Sequence, residues 1–115
     1  MPASTKNSKI LEFNEKILLK AIVNILKERG FEDPKVNADQ GKVETDYFVQ
    51  GDFRTKVKAA VKKISRKESE VSLSVITEQN SSAGWKEKQI LDKDQYDKFF
   101  DEIELQAYRE LAKAE

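Results

Sequence analysis

The side chains that usually do chemistry are sparse in this sequence, and the rest are badly spaced for it. The 115 residues contain no cysteine and no histidine. That excludes thiol nucleophiles, disulfides, Ser-His-Asp and Cys-His arrangements and the usual zinc ligands. The missing cysteine fits the cytosol, and equally a periplasmic domain that needs no disulfide. Carboxylates are plentiful, and Asp97, Asp101, Glu102 and Glu104 crowd one stretch. They fall on a helical pattern, where a solvated face is the plain reading. The run from Asp92 to Asp97 (DKDQYD) alternates acids but lacks the glycine and the distal glutamate of a calcium loop. Gly30, Gly41, Gly51 and Gly84 stand alone, each at a turn, so no glycine-rich phosphate loop is present. Tyr47, Tyr96 and Tyr108 are expected to pack with their hydroxyls at the rim. Nothing assembles a nucleophile with a base and an orienting group. The expectation is a protein that is not an enzyme, with no catalytic residue, cofactor or metal site.

Two features could bind rather than react. Arg54, Lys56, Lys58 and Lys62 recur at alternate positions and would form a basic strand face. Either an anionic partner meets that face, or it is a solvated outer sheet surface. A hairpin symmetrical about Gln50-Gly51 brings Glu44 and Asp46 across from some of these bases, which favours the solvated surface. No aromatic residue beyond Phe48 interleaves with the bases, as a single-strand nucleic-acid platform would require. Lys+Arg and Asp+Glu balance at 21 each, which also argues against nucleic acid. Trp85, the only tryptophan, follows a loop containing Gly84. It is either an exposed partner anchor or a cap on the open end of the core. The candidate interaction residues are therefore Arg54, Lys56, Lys58 and Trp85.

The elements that position them are legible from periodicity. Residues 1–8 (MPASTKNS) read as a tail or tether and residues 9–115 as one α+β domain. Lys9 to Phe13 reads as an extended segment or edge strand. Asn14 is a candidate N-cap for a helix from Glu15 to about Arg29, with Phe13 and Leu18 as a hydrophobic staple. A competing reading starts that helix at Asn7 or Ser8. Gly30 suits the end of the helix, and Phe31 is expected to fold back on it. Lys35 to Asp39 is a brief strand or a loop.

The stretch from Gly41 to Ile64 reads as a β-hairpin with its turn at residues 49–52. Strict alternation puts Val43, Thr45 and Tyr47 on one face and Glu44, Asp46 and Phe48 on the other. After the turn, Phe53, Thr55, Val57, Ala59 and Val61 continue the apolar face. Lys67 to Glu70 is a charged turn, Val71 to Thr77 a third strand and Asn80 to Gly84 a loop. Trp85 opens a segment ending at Ile90-Leu91, a fourth strand or an extended arm. Asp92 and Gln95 form a partial capping box for a last helix, with Tyr96, Phe99, Phe100, Ile103, Ala107 and Leu111 on its apolar face. The predicted fold is a two-layer α+β arrangement, a mostly antiparallel sheet of three to four strands with two helices packed on one face. No apolar run of about 18 residues is present that could span a membrane as a helix.

Helix 1 ends ILKERGFE, then GKVETDY leads through a turn into FRTKVKAAV. This combination resembles the helix-grip-like domains of small bacterial envelope lipoproteins, such as the C component of the outer-membrane β-barrel assembly machinery. The match in element order covers Glu15 to Leu111. At residue level it is confined to Leu26–Phe31, Gly41–Tyr47 and Phe53–Val61. The resemblance implies a non-enzymatic periplasmic module that binds protein partners at the cell envelope. It also implies membrane attachment only through a lipidated cysteine upstream of Pro2, absent from this chain. No catalytic residue carries over from it. Two alternatives stand beside it. One is a small-molecule or lipid binder with a cavity between the last helix and the sheet, lined by Val57, Val75, Phe99 and Ile103. The other is a cytoplasmic homodimerising adaptor, monomeric or weakly dimeric, pairing through a strand edge or Trp85.

Overall fold

The computed structural model describes residues 7–88 and 91–114. In chain order the elements are β1 (Asn7–Leu11), α1 (Glu15–Glu28), β2 (Lys35–Asn37), β3 (Lys42–Glu44), β4 (Phe48–Gln50), β5 (Phe53–Lys63), β6 (Ser69–Ser81), β7 (Gly84–Lys88) and α2 (Lys93–Ala114). Residues 1–6 of the expected tail, and Gln89 and Ile90 of the expected arm, lie outside the described residues. Asn7 and Ser8, assigned to the tail by sequence, belong to β1, which pairs antiparallel with β6. That strand also overturns the reading of a helix starting at Asn7 or Ser8.

Both helices begin where the sequence marks them, and α1 also ends there. The Asn14 side chain accepts the Ile17 N–H at 2.9 Å and starts α1. At the other end the Gly30 N–H bonds the Lys27 carbonyl and the Phe31 N–H bonds the Leu26 carbonyl. This paired closure needs a left-handed residue, and Gly30 supplies it with φ of 106°. The α2 start is a reciprocal box: Gln95 N–H donates to Asp92 Oδ1, and Asp92 N–H donates to Gln95 Oε1.

The fold is α+β, two helices on one face of a mostly antiparallel sheet, as the periodicity predicts. The sheet is wider than the predicted three to four strands. Its order is β1-β6-β5-β3-β2, with β7 also on β6 and β4 also on β5. So β1 and β7 lie end to end along one edge of β6, and β3 and β4 end to end along β5. Between β1 and β7 the Val75 N–H of β6 is met by the Tyr96 hydroxyl at 3.1 Å, a side chain filling a gap in the ladder. This places Tyr96 in the core, 3% exposed, rather than at the rim. The predicted third strand runs longer than Val71–Thr77, and the predicted loop from Asn80 to Gly84 shrinks to the tight connection of β6 to β7.

The largest departure from the predicted pattern is a β-bulge. Glu44 pairs with Lys58, but Phe48 pairs with Thr55. Three residues, 45–47, therefore oppose two, 56–57. The Thr45 hydroxyl accepts the Val57 N–H at 2.9 Å, and the Thr45 N–H reaches the Val57 carbonyl. The extra residue reverses the alternation beyond it. Phe48, predicted on the charged face, turns inward and meets Phe31 edge to face, with ring centroids 5.8 Å apart. Tyr47, predicted inward, turns out onto the guanidinium of Arg54. The hairpin closes through Gly51-Asp52, with Gln50 paired to Phe53 and Gly51 at φ of 63°. Glycine in the first position is what a two-residue hairpin loop of the II′ kind requires.

The core lies between the helices and the strand rows Val61–Val71, Ala59–Leu73 and Val57–Val75. From α1 it takes Leu18, Ala21, Ile22, Ile25 and Leu26, and from α2 Phe99, Phe100, Ile103 and Ala107. Leu111, predicted on the apolar face of α2, is 39% exposed, and the turn before it buries Gln106 and Glu110 instead.

Candidate functional site

The core stops before the sheet does. The 13 residues of β6 span roughly 43 Å at strand rise. The 14 residues of α1 span about 21 Å. Beyond the Val57–Val75 row the inward-facing pairs become Thr55–Thr77 and then Phe53–Gln79. Beneath them a groove of about 570 Å³ opens. Its floor is Thr55, Val57, Val75 and Thr77; its walls are Phe31, Phe48 and Phe53 on one side and Leu91 and Phe99 on the other. Thr55 and Thr77 hold each other by their hydroxyls at 3.2 Å. Phe48 and Phe53 are each 37% exposed, high for aromatic side chains. Three of the four residues named from sequence for a cavity, Val57, Val75 and Phe99, line this groove. Ile103 is fully buried in the core and does not line it.

Arg29 stands at the mouth. It is the C-cap residue of α1, so the helix end fixes its backbone. Its guanidinium lies over the Phe99 ring at 4.1 Å and contacts Glu102 Oε2 at 2.9 Å through one nitrogen. A guanidinium carries five N–H donors, so this pairing leaves donors available to a ligand at the mouth.

The strands over the groove are held from their outer side. Arg54 Nε and Nη2 both contact Glu78 Oε1 at 2.6 Å. The same guanidinium lies 4.1 Å from the Tyr47 ring and 4.5 Å from the Trp85 ring. Tyr47 precedes β4, Arg54 is on β5, Glu78 on β6 and Trp85 on β7, so one side chain ties together all four overhanging strand segments. An arginine between two aromatic faces, with a carboxylate at its edge, is a well-satisfied cation.

The sequence-named residues thus divide. Arg54 and Trp85 come together, and Lys56 joins them with its ammonium 4.9 Å from the Tyr47 ring. Lys58 stays apart, in register with Glu44. Lys62 faces Glu70 in the same way. Asp46, expected across from a basic residue of β5, instead meets Lys35 at 3.8 Å. The basic face is therefore interleaved with carboxylates. Its aromatic members are Tyr47 and Trp85 rather than Phe48.

Sequence reasoning missed Arg29, Phe31, Phe48, Phe53 and Leu91 as groove residues. Arg29 to Phe31 carried a helix-stop signal that masked any other role. A signal was present at Phe48 and Phe53, aromatics flanking a hairpin turn, where only an added element could cover them. Also missed was Glu110, a nearly buried carboxylate between the helices. Gln106 Nε2 donates to it at 2.5 Å, Asn24 Nδ2 at 2.8 Å, and Lys113 lies at 3.6 Å. The Gln106 bond foremost holds this carboxyl below its ordinary value; burial opposes the shift, and Asn24 and Lys113 add to it. Among the described residues no group of three or more acidic residues could hold a metal ion.

No protein-family model matches the chain. No curated protein matches it in sequence. Among solved structures it is similar to a chain in the crystal structure of the adenylate sensor from AMP-activated protein kinase in complex with 5-aminoimidazole-4-carboxamide 1-beta-D-ribofuranotide (ZMP), at 11% identity and a TM-score of 0.49, covering 87% of this chain and 94% of that chain.

Proposed function

We propose that this chain is a non-enzymatic binding domain whose distal groove receives the apolar tail of an amphiphile. The observation that carries this reading is the overhang of β4 to β7 beyond the core, which leaves a walled, apolar groove between sheet and α2. Its volume falls in the range of small-molecule sites. Its strands are tied together from outside by Arg54. A larger hollow at the opposite end, lined by Glu12, Phe13, Asn14, Ile17, Leu111 and the turn Ser65–Glu68, has six polar or charged residues among its nine and is the poorer receptor for an apolar tail.

The test is a titration of the labelled protein with decanol, followed by backbone amide shifts. Saturable shifts at Phe31, Phe48, Thr55, Val75 and Phe99 are the expected result. Absence of saturable shifts, or shifts centred on Glu12 and Leu111, would refute it. The resemblance to envelope lipoproteins supports a further proposal, about place: attachment at the periplasmic side of a membrane as part of an assembly of proteins. A coding sequence upstream of Pro2 without a signal peptide and lipidated cysteine would sink that proposal and leave the groove untouched.

A further inference from the structure

We infer that the ligand of the distal groove is a single-chain carboxylate amphiphile, of the fatty-acid class, with its head held by Arg29 at the mouth. This rests on the reading of the groove as a receptor for an apolar tail. The added observation is the charge around the opening. Arg29 lines the groove, and its guanidinium contacts one carboxylate oxygen through one nitrogen. Lys88 pairs with Thr77 and Lys86 with Gln79, and cross-strand partners share a face. Both lysines therefore project on the helix side of β7, beside the groove, and both are exposed. Glu102 offsets one charge by pairing with Arg29. Among the described residues Arg29 is the one charged residue lining the groove; with its partner Glu102 and with Lys88, opposite the floor residue Thr77, the sum is one positive charge, and Lys86 stands further out, opposite Gln79. That balance fits a monoanionic carboxylate better than a dianionic phosphate ester or a cationic head. The floor follows the same polarity. Val57 and Val75 lie at the core end, where a tail would go, and the paired hydroxyls of Thr55 and Thr77 lie one row further out.

The experiment uses the full chain and three probes with one tail, decanoate, decanol and decyltrimethylammonium, below their micelle concentrations and above the carboxyl pKa. Affinities are read from the Phe48, Thr55 and Phe99 amide shifts. The expected order places decanoate about tenfold or more above decanol, one charge-assisted hydrogen bond being the difference, and the ammonium below both. Each added methylene should tighten carboxylate binding about fourfold until the groove is full. Arg29→Met, which keeps an apolar cover on Phe99, should abolish the preference for decanoate over decanol. Glu102→Gln should move the other way, tightening decanoate severalfold, because it removes the negative charge beside the guanidinium. A structural role for the Arg29–Glu102 pair would weaken every probe in both variants. Equal affinity for decanoate and decanol, an unchanged preference in Arg29→Met, or tighter binding of decyl phosphate than decanoate would overturn the carboxylate assignment and leave the groove standing. Failure of all three probes would take down the groove itself.

Discussion

Replacing Arg54 with leucine should damage this protein far more than replacing any other basic residue on the same strand. The two contacts to Glu78 share one acceptor oxygen at 2.6 Å, and the Arg54 and Glu78 side chains are only 28% and 19% exposed. A charge-assisted bond in such a setting contributes about 1.5–3 kcal/mol. The two ring contacts, at Tyr47 and Trp85, contribute about 0.5–1 kcal/mol each. Leucine recovers part of the packing, and water reaches part of the freed carboxylate. The net loss should be about 2–3 kcal/mol, which in a domain of this size lowers the melting temperature by about 10 °C. Lys58→Leu, on the same strand face opposite Glu44, should change stability by less than about 0.5 kcal/mol. Urea unfolding followed by Trp85 fluorescence measures both, and hydrogen exchange should show the amides of β4 and β7 opening first in Arg54→Leu. Because the pair is largely buried, its contribution should survive molar salt. Equal losses for the two variants, or an Arg54 effect erased by salt, would refute the claim that Arg54 ties the overhang together.

Gly30→Ala should cost more than about 1 kcal/mol, since φ there is 106° and a Cβ would lie 3.2 Å from Phe48 Cζ; chemical denaturation together with the Phe48 amide shift reports both the loss and the displaced groove wall. Thr45→Val keeps the shape of the bulge but leaves the Val57 N–H unpaired in a buried place, and should cost about 1–3 kcal/mol by denaturation. Glu110 has a folded pKa below its ordinary 4.5, so its stabilisation is present above that pH and is lost as pH falls through the lowered value. Glu110→Gln should therefore differ from the parent near neutrality and converge toward it in acid; a stability difference constant from neutral to strongly acidic pH would show that the carboxylate charge plays no part.

The parts of the fold legible in the sequence are those set by local rules. Asn14, Gly30, Asp92 and Gln95 mark helix ends because capping is decided within a few residues. The apolar periods of α1 and β5 place their inner faces correctly for the same reason. What was not legible depends on residues remote in sequence. The position of Phe48 depends on a threonine hydroxyl replacing a ladder bond, which alternation alone cannot show. The pairing of β7 with β6 depends on a turn that reads as a polar loop. Leu111 fits the helical period but reaches past the end of the sheet it would cover, whereas Glu110 is buried only because Asn24 of the other helix faces it. The groove was half legible: Val57, Val75 and Phe99 follow from the two periodicities, but Arg29 and Phe31 enter it only because α1 is shorter than the β5–β6 ribbon.

The bulge at residues 45–47 also says where this chain can tolerate a change of length. Val43 and Phe48 both face inward although they are an odd number of positions apart, which an unbroken pleat forbids. Deleting Asp46 would restore a regular ladder, with Tyr47 opposite Lys56 and Phe48 still opposite Thr55, so every side chain of the overhang would keep its face. Inserting or deleting one residue beyond Phe48 would invert the whole tip. A homologue one residue shorter between its inward valine and its groove phenylalanine would therefore share this architecture, and an alignment forced to remain gapless there would pair the wrong faces.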